Sequence, residues 1–289
     1  MRHSPVVVDP LPAALGAEIR GVDLSAPMPD AAFQDVEAAL HKHGFLCFRN
    51  QRLDDPGQMA FSRLWGDHLE IHPILRHAKK DCPEIYILSN ILDERGEPLG
   101  AVDAAQFWHT DLSYTHHPSR VSILHAAEVP FDANGRPLGD TEFASTTKAY
   151  EALPEDVKRR ISGLKAMHHA LKPKKQGNFM KLKGKETAGL DGVVHPVVRT
   201  HPFTGKKCLY VNWGFTSHVL DMPQEESDDL LAYLFDFMSQ AQFRSVHKWA
   251  VGDVLIWDNC SSIHQGVGNY ALPQRRLIYR TIVRGGVPY

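Results

Sequence analysis

The chain has 289 residues, 43% of them hydrophobic, enough apolar material for one large core or two modest domains. A net charge of −2 removes any general attraction to nucleic acid or to an anionic membrane surface. Four cysteines (Cys47, Cys82, Cys208 and Cys260) without C-x-x-C spacing argue against a structural zinc site and fit free thiols in a reducing compartment.

In chain order, the Val6-Val7-Val8 run is cut off by Asp9-Pro10 and makes no signal-peptide apolar region. No apolar stretch approaches the roughly 20 residues that span a bilayer, so a cytoplasmic protein is expected. Phe33, Val36, Ala39 and Leu40 predict an amphipathic helix over 31–43 with Asp30 as N-cap. Gly44 stops it, and Phe45-Leu46-Cys47-Phe48-Arg49 reads as a buried strand. Asp54-Asp55-Pro56 opens a second helix over 55–65, closed by Gly66. Strands are expected at 85–88 and 120–124, and helices at 154–163 and 223–239. Further strands are expected at 207–211, 243–249, 253–257 and 276–283. No linker, repeat or low-complexity segment divides the chain. The pattern predicts a single, mainly β domain, a sandwich or jelly roll with helices packed outside. Helices 31–43 and 223–239 are free to pack on the barrel or between subunits of a homo-oligomer. Six lysines between Lys172 and Lys185 mark a solvated loop or a lid, within an insertion spanning about 165–194. That patch is short and nearly free of interleaved aromatics, unlike a nucleic-acid surface.

The chemistry centres on Phe107-Trp108-His109-Thr110-Asp111. On an extended strand His109 and Asp111 share one side, and a distant His264 completes two imidazoles and one carboxylate. Such a set leaves three positions open on an octahedral ion, as in non-haem Fe(II) oxygenases. With 17 histidines, chance His-x-acid pairs are expected, and His68-Leu69-Glu70-Ile71-His72 is a rival metal cluster. Downstream, Arg276, Ile278 and Arg280 share one strand face and Arg275, Leu277 and Tyr279 the other. Two arginines on an inward face are costly without anions, so two carboxylate-like groups are expected there.

These residues sit in a longer series. It runs from Leu15-Gly16-Ala17-Glu18-Ile19-Arg20-Gly21-Val22-Asp23-Leu24 through Trp108-His109-Thr110-Asp111 and Gly139-Asp140-Thr141-Glu142-Phe143. It continues with His195-Pro196-Val197-Val198-Arg199-Thr200-His201-Pro202, Tyr210-Val211-Asn212, Trp257-Asp258-Asn259, His264 and Pro273 to Arg280. In this order the motifs resemble the taurine dioxygenase and 2,4-dichlorophenoxyacetate dioxygenase family of Fe(II)/2-oxoglutarate enzymes. The resemblance implies a double-stranded β-helix (jelly roll) core, Fe(II) on His109, Asp111 and His264, 2-oxoglutarate as co-substrate, and O2. It also implies that the Thr141 hydroxyl donates to 2-oxoglutarate and that Arg276 clamps its distal carboxylate, with the adjacent Arg275 as the competing clamp. Trp257 packs near the site. Arg280 would hold the anionic head of the prime substrate beside His72, which demotes the His68/Glu70 cluster as a metal site.

The substrate-side residues are mixed. His72-Pro73 and Arg280 match the taurine-acting branch, but Leu75 and Ala105 stand where that branch has a tyrosine and an asparagine, and Pro173-Lys174 replaces a Ser-Phe pair. Ser89-Asn90, the Gly139–Phe143 motif and His169-Ala170-Leu171 look more like the phenoxyacetate-acting branch. The expected substrate is a larger, more apolar anion than taurine: an aryloxyalkanoate, an alkyl sulfonate or a sulfate ester. The competing readings are taurine dioxygenase proper, a biosynthetic hydroxylase or desaturase on the same scaffold, and a non-enzymatic metal-binding β-barrel.

Overall fold

The computed structural model describes residues 6–102, 106–170 and 192–289. The amino-terminal half contains β1 (Val7–Pro10), β2 (Ala17–Arg20), α1 (Asp30–His43), β3 (Phe45–Phe48), α2 (Asp55–Arg63), β4 (Ala78–Lys79), β5 (Cys82–Ser89) and β6 (Ser119–Glu128). Then come β7 (Thr141–Ser145), α3 (Thr146–Ala152), α4 (Glu155–Ile161), β8 (Lys165–His168), β9 (Val193–Pro196), β10 (Val198–Thr200) and β11 (Lys207–Leu209). The chain closes with β12 (Thr216–Val219), α5 (Gln224–Met238), β13 (Arg244–His247), β14 (Val254–Asp258), β15 (Ser262–Gly266) and β16 (Leu277–Arg284).

Eight strands form the large sheet in the order β1-β2-β3-β14-β6-β16-β5-β4, and β13-β7-β15 form a small one. The non-sequential order is the mark of a jelly roll: β14 returns to lie between β3 and β6, and β16 between β6 and β5. The central strands are buried on both faces, which accounts for the continuous apolar runs Phe45–Phe48 and Val254–Trp257. One core lies between the large sheet and α1 and α2, around Val36, Leu40, Phe48, Trp65 and Ile256. A second packs α5 through Leu230, Leu234 and Met238 against Ala144 and Ile263 of the small sheet. The third fills the space between the two sheets with Phe45, Phe143, Trp249 and Trp257. That inter-sheet core forms the floor of the site.

Local signals explain the helix ends. Asp54 caps α2 by accepting from the Gly57 N–H at 2.8 Å. The helix ends at Arg63, before the expected Gly66 stop. At α1 the N-cap is Pro29, and Asp30 is the first helical residue, where its carboxylate still favours the positive end of the helix dipole. The short strands β1, β2, β4, β7 to β10, β12 and β15 carry no periodicity long enough to be read from sequence. The expected strand over 276–283 begins one residue later, leaving Arg276 at its mouth. All four cysteines are free. Most of the 165–194 insertion, including the lysine-rich stretch, lies outside the described residues. Among the described residues no helix is long and apolar enough to cross a membrane.

Candidate active site

Two remote segments meet where the small sheet faces the large one. His109 and His264 form an isolated antiparallel bridge, each backbone N–H donating to the other's carbonyl at 3.0 and 2.9 Å. The chain then turns through Asp111 and Leu112, whose φ is +54°. The expected continuous strand through His109 and Asp111 is therefore a bridge followed by a turn. The turn still carries the carboxylate back to the imidazoles. Asp111 Oδ1 is 3.5 Å from His109 Nε2, and Oδ2 is 3.8 Å from His264 Nε2. These gaps are too wide for hydrogen bonds and near the ~3 Å between neighbouring donors on an ion with ~2.1 Å bonds.

Each donor is held in the form a metal needs. His109 Nδ1 donates to the Phe107 carbonyl at 2.9 Å, which leaves the Nε2 lone pair facing the centre. His264 lies against Trp257 and His109, with ring centroids 4.5 and 4.1 Å away. Burial, with His109 beside it, holds His264 well below the usual histidine range, so the ring is neutral. Burial opposes ionisation of Asp111, but the Arg280 guanidinium and the two imidazoles hold its carboxyl well below the usual carboxylate range. A polar network sets the orientation of this carboxylate. Ser122 Oγ donates to Asp111 Oδ2 at 2.6 Å, and Asn259 Nδ2 donates in turn to Ser122 and Ser119. Asn259 Oδ1 accepts from the Asp111 N–H and from the Trp257 indole. Two imidazoles and one ionised, buried carboxylate converging from three sides fit a divalent cation with open coordination positions.

Beside this triad lies a second charged feature. Arg276 is buried, and among the described residues no carboxylate lies within ion-pair distance of it. Its backbone is pinned on both sides: Asn90 Oδ1 accepts its N–H at 2.9 Å, and Ser89 Oγ donates to its carbonyl at 2.8 Å. Burial draws its pKa below the usual arginine range, against the pull of Tyr270. Gly139, two residues before Thr141, lies against both groups. A Cβ there would come within 3.0 Å of Tyr270 and 3.4 Å of Arg276 Nε, and its φ of +74° favours glycine independently. Thr141 is buried and accepts a hydrogen bond from the Trp249 indole at 3.1 Å.

Arg275 and Trp257, the other two residues considered on the co-substrate side, take different places. Arg275 is on the outer face, exposed, in a bidentate pair with Glu128 at 2.9 and 3.0 Å, so it does not reach the site. Trp257 sits beneath His264 and spends its N–H on Asn259, which makes it a support for the metal donors.

On the third side Arg280 places NH1 3.3 Å from Asp111 Oδ1, and its guanidinium lies 5.0 Å from the Tyr86 ring centroid. His72 stacks on the same ring at 4.2 Å, and its Nδ1 accepts from the Ile74 N–H. Burial and the neighbouring Arg280 hold His72 well below the usual range, so the neutral ring keeps an Nε2 N–H to donate. Tyr114, Phe215 and Phe107 make an aromatic wall next to His109. Leu75 is 61% exposed and adds nothing to this wall, and Ala105 lies outside the described residues. The rival cluster is dispersed: His68 is exposed, Glu70 pairs with Arg284, and only His72 is buried.

Two further buried groups bring a histidine, an aspartate and a cysteine together: His201, Asp258 and Cys260, and His247, Asp253 and Cys47. In the first, His201 Nε2 is hydrogen-bonded to Asp258 Oδ2 at 2.6 Å. In the second, the Arg49 guanidinium occupies Asp253 at 2.6 Å, and burial first, then Asp253, pushes the Cys47 thiol up. Neither presents three free donors. Sequence reasoning had not singled out Ser122, Trp249, Tyr270 or Tyr86. The first two carry no motif signal of their own, whereas Asn259 lay within a quoted motif.

Comparison with known proteins agrees with this geometry. The family model "Taurine catabolism dioxygenase TauD, TfdA family" matches residues 8–282. The alpha-ketoglutarate-dependent 2,4-dichlorophenoxyacetate dioxygenase of Cupriavidus pinatubonensis is 31% identical over 95% of this chain and 96% of its own. The alpha-ketoglutarate-dependent sulfate ester dioxygenase of Pseudomonas putida is 32% identical over 97% and 90%. The crystal structure of AAD-2 in complex with Mn(II) and N-oxalylglycine superposes with a TM-score of 0.79 at 27% identity, covering 98% of each chain.

Proposed function

The chain belongs to the taurine catabolism dioxygenase TauD, TfdA family, and we propose that its prime substrate is an anion larger and more apolar than taurine. It is a 2-oxoglutarate-dependent dioxygenase, like the relatives that match it over nearly their whole length. We assign His109, Asp111 and His264 to Fe(II), and Thr141 and Arg276 to 2-oxoglutarate. Bound Fe(II) would supply the oxidative chemistry that couples conversion of 2-oxoglutarate and O2 to succinate and CO2 with hydroxylation of a substrate C–H bond.

The residues of the chain supply binding and orientation. Arg276, buried with no carboxylate at ion-pair distance among the described residues, is the partner for the distal carboxylate of 2-oxoglutarate. The N–H groups of Arg280 and the His72 Nε2 N–H are the donors for the substrate's acidic head. The observation that carries the substrate class is the wall of Phe107, Tyr114 and Phe215 beside His109. It offers apolar and aromatic contact where a small zwitterion would need partners for its ammonium, and mismatched polar groups are rejected strongly in such sites. Aryloxyalkanoates, longer alkyl sulfonates and sulfate esters combine an anionic head with an apolar body. Hydroxylation at the carbon bearing oxygen or sulfur would give a product that collapses to a carbonyl compound, releasing a phenol from an aryloxyalkanoate, sulfite from a sulfonate and sulfate from a sulfate ester.

The test is a panel of these three classes together with taurine, scored by substrate-dependent O2 uptake with Fe(II) and 2-oxoglutarate. The reading predicts higher kcat/KM for the apolar anions than for taurine. A preference for taurine would overturn it.

A further inference from the structure

The polarity of the Thr141 hydroxyl is set from outside the site. Trp249 lies two residues beyond β13, is 2% exposed, and gives its indole N–H to Thr141 Oγ1 at 3.1 Å. An indole nitrogen only donates, so the direction of this bond is unambiguous. The threonine hydroxyl has one proton and two lone pairs. With a lone pair facing Trp249, its proton must point elsewhere. The guanidinium of Arg276 on the same side cannot accept it. Among the described residues no hydrogen bond takes the Thr141 proton, and Arg276 has the Tyr270 hydroxyl but no carboxylate, a polarity that suits a carboxylate and repels a second donor.

The indole itself is fixed. Thr141 stands opposite His247 in the register of β7 with β13, and the His247 ring packs edge-on against Trp249 at 4.7 Å and 89°. His247 Nε2 is 3.2 Å from Asp253 Oδ2, the same oxygen that Arg49 holds at 2.6 Å. A run of contacts thus leads from the ion pair of Arg49 with the fully buried Asp253 to the Thr141 hydroxyl.

We propose that Trp249 is a positioning residue that locks the Thr141 hydroxyl as a hydrogen-bond donor to 2-oxoglutarate. This rests on the reading that 2-oxoglutarate occupies the Thr141–Arg276 side. Among the described residues Trp249 makes no ring contact or hydrogen bond with His109, Asp111 or His264; its N–H goes to Thr141.

The experiment is a double-mutant cycle read as the Kd for 2-oxoglutarate, measured by calorimetry on Mn(II)-loaded protein without turnover. Trp249→Phe keeps the ring and removes the N–H, and it should weaken 2-oxoglutarate binding by roughly 5- to 10-fold. Thr141→Val should weaken it by about 10-fold, and the double variant should bind no worse than Thr141→Val, within about twofold. Unchanged Mn(II) affinity in Trp249→Phe shows that the fold and triad are intact. If Trp249→Phe binds like the wild type, or if the two losses multiply, the positioning role is overturned. Should Trp249→Phe fail to fold, Thr141→Ser tests the same point. With the indole in place the serine hydroxyl should bind within about twofold of wild type, and a tenfold loss would mean that the γ-methyl sets the orientation. A wild-type protein that binds Mn(II) but not 2-oxoglutarate would overturn the assignment of the site itself.

Discussion

His109, Asp111 and His264 and the group His201, Asp258 and Cys260 look alike on paper: both are buried, and both hold an aspartate within reach of an imidazole. Their chemistry is opposite. In the second group the hydrogen bond is closed at 2.6 Å, and His201 Nδ1 accepts from the Phe203 and Thr204 N–H groups. Asp258 also accepts from the Cys260 N–H and the Ser261 hydroxyl, and burial first, then Asp258, pushes the Cys260 thiol up. That cluster braces the turn by which the chain passes from β14 to β15 and delivers His264. In the first group an aspartate stands between two imidazoles, 3.5 and 3.8 Å from their Nε2 atoms, with no histidine–aspartate hydrogen bond closed. What separates the two clusters is whether the histidine and the aspartate are closed on each other, not which residue types supply them.

The contrast recurs at Arg275 and Arg276. The first closes a bidentate pair with Glu128 at the surface; the second is buried with no carboxylate at hand among the described residues. Both lie just before β16, and one step in sequence separates a surface ion pair from a buried guanidinium.

Substitutions can break these contrasts. The largest effect is expected for Asp111→Ala and His264→Ala, which should reduce O2-dependent succinate formation to background while Asp258→Asn retains it. Arg276→Ala comes next: losing a buried charge-assisted pair costs about 2–5 kcal/mol, so the Kd for 2-oxoglutarate should rise by roughly 30-fold or more. Asp258→Asn should act on stability, by about 2 kcal/mol, because it weakens a buried hydrogen bond to a charged carboxylate. Its pH dependence has a defined sign. Burial opposes ionisation, but the His201 hydrogen bond wins and lowers the Asp258 pKa from its ordinary 3.8. The stabilisation is therefore complete above about pH 4 and is lost as pH falls further, so the Tm gap between wild type and variant should shrink in acid. Arg275→Ala should be smallest, within about 1 kcal/mol of wild-type stability and with unchanged 2-oxoglutarate affinity. A large affinity loss in that variant would return the clamp to Arg275.

Much of the site was legible because function had fixed residue types at strand ends. His109, Asp111, His264, Arg276 and Arg280 were named from spacing, alternation and family resemblance, and the structure brings them to one place. The alternation of Arg276, Ile278 and Arg280 follows from the pleat of β16 and survives its one-residue shift. What stayed hidden depends on contacts between segments far apart in sequence. The bridge between His109 and His264 replaces a strand that periodicity suggested, because Leu112 turns the chain with a positive φ. The roles of Ser122, Trp249 and Tyr270 arise only when β6, the β13–β14 connection and the loop before β16 are packed together. Leu75 shows the reverse: a position matched by motif whose side chain the fold leaves in solvent.

The most direct measurement is an equilibrium Fe(II) titration of the wild type, Asp111→Ala and Asp258→Asn under anaerobic conditions. One ion per chain in the wild type and in Asp258→Asn, with binding lost in Asp111→Ala, is the predicted result. Full-affinity, one-to-one binding by Asp111→Ala, or its loss in a folded Asp258→Asn, would contradict the assignment of the open cluster as the metal centre.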